Sequence, residues 1–180
     1  MNKKRLEIGK RLLMIWGGIS LVIVILVTGY LAYFATIGNT TSEDLVSKKD
    51  VRFVLNWSGL GDEKIKNVVK SYKSSKSFSG DHLNAYAIEI TEVSVNELPN
   101  TRTTKWLSIN NLPLLIDNAV KLTNRFQDKI PWFPSYEELK NEGYYIHPHS
   151  IYCLGISPMS AKLILLKPDG KMIYYIDIKI

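Results

Sequence analysis

Residues 12–35, LLMIWGGISLVIVILVTGYLAYFA, contain no charged side chain. At 1.5 Å per residue a helix of this length spans about 36 Å, and the hydrocarbon core of a bilayer is about 30 Å thick. The stretch therefore predicts a transmembrane helix. This helix divides the polypeptide into a short tail and a larger domain.

The charges on the two sides of this helix predict its orientation. Residues 1–11 carry five Lys/Arg and one Glu, whereas the other flank has no charge before Glu43. Lys and Arg remain on the cytoplasmic side of a membrane. We therefore expect residues 1–11 to form a cytoplasmic basic tail, residues 36–50 a polar tether, and residues 51–180 an extracytoplasmic domain.

Two other interpretations of the apolar stretch are weaker. A cleaved signal peptide has an apolar core of about 7–15 residues, shorter than this one. A buried helix of a soluble protein normally has a polar face, which this sequence lacks. Thr28, Ala32 and Thr36 recur at intervals of four, a small-residue pattern that permits helix-mediated self-association within the bilayer.

The bulk composition argues against nucleic-acid binding. The formal net charge is +6, and residues 1–11 account for +4 of it. The remaining chain has no basic stripe interleaved with aromatic residues, the usual pattern of a nucleic-acid surface. Cys153 is the only cysteine, so a monomer has no internal disulfide and depends on packing alone.

The first part of the domain shows one strand pattern and one helix pattern. Residues 51–57, VRFVLNW, are rich in β-branched and aromatic side chains, which predicts a strand. Asp62 and Glu63 then suit the positive end of a helix. The apolar residues that follow recur at helical spacing: Ile65, Val68, Val69 and Tyr72.

The rest of the domain alternates in the same way and ends in strands. We expect strands at residues 85–91, 144–156, 161–167 and 171–180, with a short one near 105–109. Residues 111–129 carry a continuous apolar stripe and predict the main helix. Ser135 and Glu138 form a capping box for a further short helix. The predicted class is α+β, a mostly antiparallel sheet with two to three helices on one face.

The candidate metal ligands are the three histidines and the cysteine. In an extended chain His147, His149 and Cys153 point the same way, and His82 would supply a fourth ligand. Three His and one Cys suit a tetrahedral zinc site, and water in place of one ligand would permit hydrolysis. No HExxH or CxxC spacing supports this interpretation. The principal prediction therefore includes no cofactor and no catalytic residue.

The candidate partner-binding residues are Trp132 and Phe133, which lie between Pro131 and Pro134. Exposed on a rigid bend, two large aromatics would anchor a partner at little entropic cost. Buried, they would belong to the core, where most aromatic side chains are found.

Two functional classes follow. The first is a single-pass membrane protein whose extracytoplasmic domain binds a protein partner at the envelope, as a toxin-immunity protein or an envelope-complex accessory protein does. The alternative is a membrane-anchored zinc-dependent hydrolase that uses His82, His147, His149 and Cys153.

Overall fold

The computed structural model describes residues 3–36, 46–75, 77 and 80–180. The chain divides into two compact units, Met1–Thr40 and Thr41–Ile180. Most of the predicted tether, residues 37–45, lies outside the described residues, as do residues 1 and 2 of the predicted tail.

The first unit consists of one helix, α1 (Lys3–Thr36). Its apolar part, Lys10–Tyr33, has a mean hydropathy of 2.5, and none of it is buried against the protein. By length and composition α1 suits either a membrane anchor or a signal sequence.

The second unit is built on a six-stranded sheet in which every pairing is antiparallel. The strand order is β1-β2-β6-β5-β4-β3. This arrangement and the helices packed on it confirm the predicted α+β class. The strands are β1 (Ile65–Lys73), β2 (His82–Ile90), β3 (Leu107–Ser108), β4 (Tyr145–Leu154), β5 (Ser157–Leu166) and β6 (Met172–Lys179).

Three helices pack against this sheet, and short 3-10 turns lie in several of the connections between elements. They are α2 (Lys48–Ser58), α3 (Leu114–Thr123) and α4 (Tyr136–Glu142). The helix predicted at 111–129 is shorter than expected, because α3 gives way to a 3-10 turn at Asn124–Phe126. The capping box of α4 is confirmed: Ser135 Oγ accepts from Glu138 N, and Gly143 ends the helix with a φ of 73°.

Each face of the sheet has its own hydrophobic cluster, because neighbouring strand residues point to opposite faces. The larger cluster lies under α3 and α4 and includes Leu163 of β5 and Ile176 of β6. The other lies under α2 and includes Ile164 and Tyr175 from the same two strands. The two predicted helices thus share one face, and α2, which the sequence did not predict, covers part of the other.

The strand predicted at residues 51–57 is wrong, because these residues belong to α2. The fully buried residues Val51, Val54 and Leu55 recur at intervals of three and four, which is the spacing of a helix. Ser47 begins the helix, since its backbone N–H and hydroxyl both donate to Asp50. α2 therefore starts inside the stretch predicted as a tether.

The helix predicted after Asp62 is also wrong, because Ile65–Lys73 is strand β1. Its register with β2 shifts between Ile65 and Asn67 and again between Val68 and Lys70. Each bulge places one extra residue in β1 and interrupts the alternation of its side chains. Burial therefore recurs every third residue, which imitates a helical face.

Candidate functional site

His82, one predicted zinc ligand, is engaged through both ring nitrogens. Its Nδ1 lies 2.9 Å from the Gly80 carbonyl oxygen, and its Nε2 lies 3.2 Å from Asp177 Oδ1. Both partner atoms are oxygens that accept hydrogen bonds, so each ring nitrogen already faces a polar partner. A metal ion would have to displace one of these two contacts to bind His82.

The other predicted ligands lie too far from His82 to share one ion. β2 and β4 are separated by β6 and β5, three strand spacings or about 14 Å. Within β4, the six residues from His147 to Cys153 span about 20 Å, whereas zinc holds its ligands about 2.0–2.3 Å from the ion. Within the described residues, no group of three or more His, Cys, Asp or Glu could hold a metal ion.

His147 and His149 instead pack against tryptophans. His147 is buried, and its Nδ1 donates to the Lys105 carbonyl oxygen at 3.0 Å. The His149 ring stacks on Trp57, with centroids 3.9 Å apart and planes inclined by 6°. Burial in this stack, with smaller effects from His147 and Lys162, lowers the pKa of His149 below its ordinary value. The stacking of His149 on Trp57 holds the C-terminal end of α2 against β4.

Lys162 connects the stack of Trp57 and His149 to the buried carboxylate of Asp177. Lys162 Nζ lies 5.6 Å from the centroid of the Trp57 ring and 3.5 Å from Asp177 Oδ2. The Asp177 side chain is only 12% exposed, and His82 contacts its other oxygen. The polar groups of this row contact one another, so its most direct role is to hold α2 and three strands together. The row consists of Trp57, Lys162, Asp177 and His82.

The bend at Trp132 and Phe133 is divided between core and surface. Phe133 is 1% exposed, and its ring packs edge-on against Tyr174 with centroids 5.8 Å apart. Phe133 is therefore a core residue, and its ring is not available to a partner. Trp132 is partly exposed and borders a cavity of about 140 Å³ beside Glu142 and Lys167, which pair at 3.5 Å.

A different set of apolar side chains reaches the surface. Outside α1, seven large hydrophobic side chains among the described residues are exposed, and one of them, Val69, lies on β1. The other six lie at one end of the domain, around the turn that joins β4 to β5. We call them the hairpin-end surface: Leu114, Leu115, Tyr152, Leu154, Ile156 and Ile180.

Direct contacts bring the hairpin against α3. Asn118 Nδ2 donates to the Ile156 carbonyl oxygen at 3.1 Å, and Leu114 and Leu115 lie one helical turn before Asn118. Ile180 N donates to the Met159 carbonyl oxygen at 2.9 Å, which brings the last residue beside β5. Leucines from α3, the turn and Ile180 therefore belong to one region of the surface.

A tight turn exposes the hairpin residues. Leu154 pairs with Ser157, which leaves Gly155 and Ile156 as the two turn residues. Gly155 has a φ of 63°, as the first central residue of a type II′ hairpin turn requires. Tyr152 and Leu154, two residues apart in β4, project from the same side of the hairpin.

The sequence contains one local sign of this surface, next to Gly155. Turn residues are usually polar, but Gly155 stands between Leu154 and Ile156, both more than 60% exposed. Leu115 belongs to the apolar stripe of the predicted main helix, but its side chain is 44% exposed. Apolar residues in a tight turn were the observable anomaly.

Comparison of the chain with protein-family models, curated proteins and solved structures finds no match. We therefore infer the function from the surface and the composition of this chain.

Proposed function

We propose that this protein is a single-pass membrane protein whose extracytoplasmic domain binds a protein partner at the envelope. In this proposal α1 is an uncleaved anchor, residues 1–11 are cytoplasmic, and the domain that begins in α2 is periplasmic or extracellular. A toxin-immunity protein and an accessory subunit of an envelope complex are the two roles that best match this description.

The observation that carries the proposal is the clustering of exposed apolar residues in the hairpin-end surface. Several exposed apolar residues at one end of a domain commonly mark an interaction site, whereas single exposed hydrophobic residues such as Val69 are ordinary. Burying Leu154 and Ile156, which are 72% and 65% exposed, in an interface would remove most of their side-chain surface from water.

The orientation of α1 is supported by charge. The five Lys/Arg of residues 1–11 lie on one side of the apolar stretch, which favours retention of that side in the cytoplasm. The same residues would be attracted to anionic lipid head groups. Self-association through Thr28, Ala32 and Thr36 would be compatible with this role and is not required by it.

Site-specific photo-crosslinking in cells tests the proposal. A photoreactive amino acid at Leu154 of the full chain should give one discrete protein adduct, because the side chain would lie in the interface. The adduct should disappear when Ile156→Asp introduces a charge into the same surface.

Val69 is the matched control, since it is exposed and apolar but lies on β1. The same photoreactive residue at Val69 should give no discrete adduct. Equal crosslinking at both positions, or only lipid adducts at Leu154, would contradict the proposal.

The zinc-hydrolase alternative is not proposed. His82 has both nitrogens engaged, and the strand separations keep it apart from the three ligands predicted on β4.

A further inference from the structure

A groove with an apolar floor runs beside α3, next to the hairpin-end surface. Its first part is a cavity of about 320 Å³ lined in part by Leu122, Ile156 and Met159. A second cavity, of about 360 Å³, is lined in part by Leu83 and Phe126. Ile180 lines both cavities, so the two adjoin at this residue, and we call them together the groove.

Basic side chains border this groove at intervals of four residues. Lys121 and Arg125 line the first cavity, and Lys129 lines the second. Lys121 is neutralised by Asp117, with Nζ and Oδ2 2.7 Å apart. Arg125 and Lys129 make no ion pair within the part of the chain that the structure describes. Asp81 and Lys179 also line the second cavity with opposite charges, so the border of the groove keeps a net positive charge.

We propose that this groove binds an acidic, apolar segment of the protein partner. This inference rests on the proposed function and specifies the chemistry of the partner. Apolar side chains of the segment would fill the floor around Ile156 and Ile180, and its carboxylates would face Arg125 and Lys129. Complementary charge chiefly sets the choice and approach of the partner, while apolar burial supplies most of the affinity.

The shape of the site favours a protein segment over a lipid surface. A concave floor accommodates an inserted segment, as the grooves that bind amphipathic helices do, whereas a bilayer presents a broad surface. Within α3, Leu114 and Thr123 are about 14 Å apart at helical rise, which matches about two and a half turns of a bound helix.

Selection from a random peptide library displayed on phage tests this inference directly. The full chain, held in nanodiscs of neutral lipid, serves as bait. Enriched peptides should share apolar residues at helical spacing and several Asp or Glu. The synthetic winner should bind at sub-millimolar concentration, and added salt should weaken the binding.

Two variants locate the binding site. Ile156→Asp should weaken the peptide at least tenfold, because it places a charge in the apolar floor. Arg125→Glu should weaken it by about fivefold, as expected when an exposed attraction becomes a repulsion. Val69→Asp and Arg102→Glu are matched controls on other exposed parts of the domain and should leave the affinity unchanged.

Three results would overturn the inference: no enriched peptide, a basic consensus, or binding that Ile156→Asp leaves intact. If any of these occurs while the Leu154 crosslink persists, the segment chemistry is wrong and the proposed function stands. If the photoreactive residue at Leu154 gives no adduct even without Ile156→Asp, the proposed function is rejected.

Lipid binding is distinguished through Cys153, the only cysteine, which lies between Tyr152 and Leu154. A fluorophore on Cys153 of the full chain should not be quenched by nitroxide lipids in nanodiscs that contain phosphatidylglycerol. Strong quenching would show that anionic lipid covers the surface and would overturn the inference.

Discussion

At the scale of single residues, Asp177 is the polar side chain on which the end of α2 most depends. It lies between His82 and Lys162 on neighbouring strands, with its carboxylate largely withdrawn from water. Asp177→Asn keeps the shape and removes the charge, which leaves Lys162 without its anion and His82 without its carboxylate partner. We expect a loss of about 2 kcal/mol in the free energy of unfolding, measured by urea denaturation of the full chain in micelles.

The matched control is the ion pair between Lys171 and Glu92, whose side chains are 57% and 70% exposed. Lys171→Gln should change the free energy of unfolding by less than about 0.5 kcal/mol. If the two variants have the same effect, the buried row around Asp177 is not a structural element.

Tyr86 gives the protein a dependence on alkaline pH. Burial, with smaller effects from the charges of Asp50 and Asp177, raises the pKa of Tyr86 to about 12. A tyrosine in the unfolded chain ionises near pH 10, so the unfolded state loses its proton first. The stabilisation is complete below pH 10 and is lost as the pH rises towards 12.

The measurement is the free energy of unfolding by urea at several values of pH between 9 and 12. Tyr86→Phe should make the decline with pH shallower, because one group linked to folding is removed. An unchanged slope in Tyr86→Phe would contradict this assignment.

At the scale of elements, α4 depends on its capping box. Ser135 N and Oγ donate to Glu138 Oε2 at 2.7 and 2.9 Å. The helix holds α3 through Tyr136, whose hydroxyl donates to Asp117 at 2.6 Å. Ser135→Ala should cost about 1 kcal/mol in the free energy of unfolding, the usual cost of losing such a cap.

Ser94 provides a comparison for this prediction. It begins a 3-10 turn with the same kind of box, but its N–H lies 3.4 Å from Glu97 Oε2. Ser94→Ala should therefore have the smaller effect in the same urea experiment. The reverse order would show that the cap does not limit the stability of α4.

The elements that the sequence predicted correctly are those with a regular pattern and clear ends. The last strand alternates without interruption, and the capping box at Ser135 marks a helix within one residue. By contrast, two bulges gave β1 the burial spacing of a helix. In α2, aromatic and β-branched residues suggested a strand, although Val51, Val54 and Leu55 already had helical spacing. Tertiary packing on the sheet decided both elements, and intrinsic propensity did not.

The edges of the sheet help to explain why side chains, not backbone, form the candidate interface. β1 carries two bulges together with Lys66, Lys70 and Lys73, and such features discourage pairing with another strand. At the other edge β3 pairs only with Tyr145 and Ile146 of β4, and the part of β4 that β3 leaves uncovered contains Pro148 and a bulge next to it. Both long edges are therefore protected, whereas the turn after Leu154 exposes apolar side chains.

At the scale of the whole molecule, the sequence predicted the fold class but not the surface that we propose for binding. The apolar stretch, the polar interval and the strand-rich remainder were evident in the order of residues. The hairpin-end surface joins residues from α3, the β4–β5 turn and Ile180, which are distant in sequence. Only the strand order brings them together, so the local anomaly at Leu154 and Ile156 could mark the turn but not the rest of the surface.

The central claim is that α1 remains in the membrane and leaves the domain outside the cytoplasm. It is tested by adding a membrane-impermeant maleimide to intact spheroplasts that carry single cysteines in a Cys153→Ser background. Arg102→Cys, in an exposed loop of the domain, should be labelled before lysis, and Lys4→Cys, in the basic tail, only after lysis. Both should sediment with membranes. Labelling of Lys4→Cys alone in intact spheroplasts, or release of the domain as a soluble product, would contradict the claim.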